Sequence, residues 1–185
     1  ANPSGLRRAS TRSIARRQEA ARMASQARQS AIGMGEKPFL VLLIEFSDLS
    51  FTVDNAQEAF YNMLNEANYS ANGGTGSVRD YYMENSRKPY NEDVNTPAQF
   101  TPTFDVVGPV KVGKEYKYYG GNDSDDNDEH PDELLYDACV VLLSQGFDFR
   151  KYDNDGDGYV DNIFFYYAGH NEAEGGGDDT IWPHA

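Results

Sequence analysis

The chain has 185 residues, 39% of them hydrophobic and 13% aromatic, and a net charge of −14. That composition belongs to a chain that folds, with 13 tyrosines and 10 phenylalanines arguing against general disorder. The longest apolar run, Phe39 to Ile44, is far too short to span a membrane, and a single cysteine, Cys139, excludes an intramolecular disulfide.

Residues 1–35 carry seven arginines (7, 8, 12, 16, 17, 22 and 28) against Glu19, so the acidic excess lies wholly in residues 36–185. The first stretch is rich in Ala, Arg, Gln and Ser, good helix material with little apolar surface to bury. It reads as a basic surface helix or flexible arm over residues 1–35, with a junction over residues 33–37. The acidic body would repel a polyanion, and no nucleic-acid motif accompanies the arm, so a nucleic-acid partner is not expected.

Phe39 to Phe46 reads as a continuous apolar strand buried on both faces. Asp54 with Gln57 resembles a helix cap, and Ala56, Phe60, Met63, Leu64 and Ala67 recur at helical spacing, predicting a helix over 55–67. Ser77 and Asp80 form a second capping pattern that opens a helix over 78–85. A Pro/Asn-rich loop then precedes a strand over 103–107, which Gly108 and Pro109 end. Pro131 opens a helix that runs to Gln145, with Leu134, Leu135, Ala138, Val141 and Leu142 inward and Gly146 terminating it. The acidic stretch 121–133 reads as a solvated loop whose last carboxylates suit that helix's positive end, with a second cation site as the alternative. Residues 162–167 are strand-like. Strands interleaved with helices make an α/β or α+β body, a mixed twisted sheet with flanking helices.

The strongest chemical signal is the run Asp153-Asn154-Asp155-Gly156-Asp157-Gly158-Tyr159-Val160-Asp161. Alternate carboxylates concentrate hard oxygen ligands on one side of a tight loop, Gly158 supplies a sharp turn, and the Tyr159 carbonyl adds another oxygen. Asp153, Asp155, Asp157, Tyr159 and Asp161 are therefore the expected ligands of calcium. The EF-hand pattern is incomplete, because Phe164 stands where that loop carries a bidentate glutamate. The histidines, His130, His170 and His184, form no His-Glu-x-x-His pattern, and neither a serine nucleophile elbow nor a catalytic-thiol signature is present. Cys139 reads as a small buried apolar side chain.

The string Leu40-Val41-Leu42-Leu43-Ile44-Glu45-Phe46-Ser47-Asp48 is followed by Gly76-Ser77-Val78-Arg79-Asp80-Tyr81-Tyr82 and Glu84-Asn85-Ser86. Phe104-Asp105-Val106-Val107-Gly108-Pro109, Tyr118-Tyr119-Gly120, the aspartate loop, Ala168-Gly169-His170 and Ile181-Trp182-Pro183-His184 come next. These blocks, in this order over residues 38–185, resemble the immune inhibitor A-like secreted zinc metallopeptidases of bacteria. The resemblance implies the N-terminal subdomain of a zincin-type fold, a propeptide, structural calcium, and an extracellular or periplasmic endopeptidase acting on proteins and peptides. In that family a downstream His-Glu-x-x-His helix binds zinc, which polarises the peptide carbonyl while a glutamate activates water. No residue of the present chain is expected to be catalytic or to bind zinc. The element carrying Ile181 and Trp182 would be covered by the remainder of the peptidase domain. Residues 87–99 read as an insertion relative to the family pattern. The reading from another class is a calcium-stabilised binding or adhesion module with no zinc site.

Overall fold

The computed structural model describes residues 35–87, 97–125 and 127–183. The chain divides after Met34, and the basic arm expected over 1–35 lies outside the described residues apart from Gly35. Among the described residues three strands are separated by pairs of α-helices: β1 (Gly35–Glu45), α1 (Ala56–Asn65), α2 (Val78–Asn85), β2 (Phe100–Lys111), α3 (Tyr116–Gly120), α4 (Pro131–Ser144) and β3 (Ile163–Tyr167). The strands form one sheet in the order β2-β1-β3, with both pairings parallel. The expected sheet was mixed; the described strands are parallel throughout, which requires the helical crossovers found between them.

β1 is central, and its two faces are read directly by residue parity. Leu40, Leu42, Ile44 and Phe46 pack against Tyr116 and Tyr119 of α3 and Leu134, Ala138 and Leu142 of α4. Phe39, Val41 and Leu43 pack on the other side with Ala56 and Leu64 of α1 and, less deeply, Val78 of α2. Residues 40–44 have no exposed surface, as a strand covered on both faces demands.

β1 begins at Gly35, so part of the expected junction is paired strand, with Gly35 opposite Phe100 and Lys37 opposite Pro102. β2 likewise runs past its expected end. Gly108 sits at φ 113, where a Cβ would lie 2.6 Å from the Leu43 carbonyl oxygen, and the register shifts between Leu42 and Ile44. The Gly-Pro pair therefore makes an irregularity that the strand passes through, and pairing resumes at Val110.

The cap of α1 is Asn55, not Asp54. Its side chain accepts from the Glu58 N–H, and its Nδ2 donates to Glu58 Oε2 at 2.6 Å. Gln57, released from that role, donates to the Val106 carbonyl at 2.8 Å. The Ser77/Asp80 capping box of α2 forms as expected. α4 ends at Ser144, and Gly146 takes φ 80 beyond it. Leu134, Ala138 and Leu142 are its buried residues, whereas Leu135 and Val141 are only partly covered.

Candidate metal centre

The aspartate run is held at one end by a buried aromatic anchor. The short 3-10 turn Phe149–Tyr152 places Tyr152 fully inside the core, stacked 6.2 Å from Phe147. Its hydroxyl donates to Asp105 Oδ2 on β2 at 3.3 Å, and Lys151 Nζ reaches the same oxygen at 2.9 Å. Burial pushes the Tyr152 phenol above its ordinary value, so it remains a donor at neutral pH. The other end is held by β3, which starts two residues after Asp161 and pairs with β1 from Leu40 onward. Between these anchors the Asp161 N–H donates to the Tyr152 carbonyl at 3.1 Å, drawing the two ends of the loop together.

Inside the loop, backbone donors set the carboxylates. Asp153 Oδ1 accepts from the N–H groups of Gly156 at 2.7 Å and Asp157 at 3.0 Å, and its Oδ2 accepts from Gly158 at 2.9 Å. Asp155 Oδ1 accepts from Asp157, and Asp157 Oδ1 from Tyr159. The Asn154 N–H makes a short bond to Asp161 Oδ2, while its side chain donates to the Pro38 carbonyl at 3.3 Å. Both Gly156 (φ 75) and Gly158 (φ 92) take left-handed backbone, so the chain curls tightly around Asp153.

The result gathers carboxylate oxygens of Asp153, Asp155 and Asp161 to within 4.8 Å of one another, all three residues half-buried. Asp157 lies outside that group, and the Tyr159 side chain is 77% exposed, which leaves only its backbone as the relevant part. The aspartate spacing points to these five residues but not to Asn154 and Gly156. The first ties the loop to β1; the second shares the turn that the sequence reading assigned to Gly158 alone.

Among the described residues this is the one grouping of His, Cys, Asp and Glu with metal-binding spacing. Its all-oxygen, carboxylate donors suit a hard cation such as calcium and do not suit the nitrogen and sulfur preference of zinc. Neither described histidine belongs to this group: His130 stacks on Tyr118 at 4.4 Å with its Nδ1 3.4 Å from Glu133, and His170 is exposed. His184 lies outside the described residues. Cys139 is half-buried on α4, and burial pushes its thiol up, away from the reactive thiolate.

In the acidic stretch before α4, Asp123 Oδ1 accepts from the N–H groups of Asp125 at 2.7 Å and Asn127 at 3.1 Å. Those two bonds hold the Asp123 carboxyl below its ordinary value. Asp128 Oδ2 accepts from the Trp182 N–H at 2.9 Å. Ile181 stands on no strand; it is buried, its N–H donating to the Tyr116 hydroxyl at 3.3 Å and its carbonyl accepting from Tyr167 at 3.1 Å. Trp182 beside it is 52% exposed.

No family model matches the chain. It is similar to the pre-pro-metalloprotease PrtV of two Vibrio cholerae serotype O1 strains, M66-2 and ATCC 39315 / El Tor Inaba N16961, being 28% identical to each over 198 residues. The alignment covers 86% of this chain and 20% of each relative, so the chain spans about a fifth of the length of the curated relatives it matches. No helix among the described residues is long and apolar enough to cross a membrane.

Proposed function

We propose that this chain is part of a secreted, zinc-dependent endopeptidase precursor of the immune inhibitor A-like kind, and that its aspartate loop is a structural calcium site. The observation that supports the peptidase reading most is the likeness to a metalloprotease precursor over 86% of the chain. The order of the sequence blocks described above points the same way. In this reading residues 36–185 form the N-terminal subdomain of a zincin-type peptidase domain, preceded by the end of a propeptide.

Zinc does not fit the described residues: the metal-spaced group among them is carboxylate only, and no His-Glu-x-x-His occurs in the 185-residue sequence. The present residues accordingly take no step of peptide hydrolysis. Their part is structural: a parallel sheet on which further elements are positioned, with the loop between Tyr152 and β3 fixed by a cation. Calcium there offsets the repulsion among three half-buried carboxylates and adds rigidity where the chain enters β3.

The experiment is to read the complete gene and measure the metal content of the protein it encodes. A His-Glu-x-x-His downstream of residue 185, with stoichiometric zinc in the purified protein, is the expected result. A reading frame without such a motif, yielding a protein that holds calcium alone, would replace this proposal with the binding-module reading.

A further inference from the structure

We draw no further inference here: the strongest candidate, the apolar cavity of about 140 Å³ between α2 and the face of the sheet, lined by Phe39, Tyr82, Phe100, Phe104 and Phe164, is an open aromatic face, and nothing in the structure shows what covers it.

Discussion

Asn65 is a buried amide at the end of α1, and its position explains how the outer edge of β2 is closed. Its Oδ1 accepts from the Phe104 N–H at 2.9 Å, and its Nδ2 donates to the Phe104 carbonyl at 2.9 Å. With Gln57 on the Val106 carbonyl, side chains of one helix do for this edge what a fourth strand would otherwise do. Replacing Asn65 by Ala strands a buried N–H and a buried carbonyl, which should cost about 2–3 kcal/mol in urea unfolding. A loss below about 0.5 kcal/mol would mean that the edge is satisfied some other way. Asp153 plays a comparable organising role in the metal loop, where three backbone N–H groups converge on its carboxylate. Calcium at about 100 times its Kd should stabilise the wild type by about 2.7 kcal/mol, raising Tm on the order of 5–10 °C. Asp153→Asn should lose most of that rise while Tyr159→Phe keeps it, since only the backbone of Tyr159 is invoked. An unchanged calcium shift in Asp153→Asn would remove this loop as the binding site.

At the scale of elements, α2 depends on a cap that titrates. Burial alone would raise the Asp80 pKa, but N–H donors from Ser77 and Asn68 outweigh it and hold the carboxyl below its ordinary value of 3.8. The folded pKa is therefore depressed relative to the unfolded one, so the contribution is complete above the unfolded value and lost as pH falls through the folded value. Asp80→Ala should be less stable than wild type by about 1 kcal/mol at pH 6, and the gap should close in acid below the ordinary carboxylate range. A gap that persists unchanged at low pH would show that packing, not the carboxylate, makes the difference. Gly120 ends α3 where a Cβ would come 2.4 Å from the Ile181 backbone nitrogen, too close for any side chain. Gly120→Ala should thus displace the segment carrying Ile181 and quicken amide exchange there, leaving α1 unaffected; equal exchange in both variants would contradict the close approach.

These elements were legible in the sequence to different degrees, for physical reasons. The apolar run of β1 and the Ser77/Asp80 box are local signals, and both are present, although β1 starts at Gly35, before its apolar run. The cap of α1 moved by one residue because Asn55 tolerates the left-handed backbone (φ 51) and Gln57 finds a partner 49 residues away on β2. β2 outran its expected end because Gly108 meets the Leu43 carbonyl across the sheet, a contact absent from any local pattern. The aspartate spacing was readable, but not the tie from Asn154 to Pro38, which joins residues 116 apart.

For the whole molecule, the parallel α/β body stands beside a likeness to PrtV that spans about a fifth of that relative's length. The described residues form a framework: β1 with apolar packing on both faces, and a carboxylate loop bonded to Pro38 of β1 through Asn154. Under the proposed function, the hydrolytic chemistry is carried by residues outside 36–185. The most direct test is casein hydrolysis by the protein encoded by the complete gene, followed before and after chelation and after adding zinc back. Under the proposed function, chelation abolishes the hydrolysis and zinc restores it, while residues 1–185 alone are inactive. Hydrolysis that survives removal of zinc, or proteolysis by residues 1–185 alone, would contradict it.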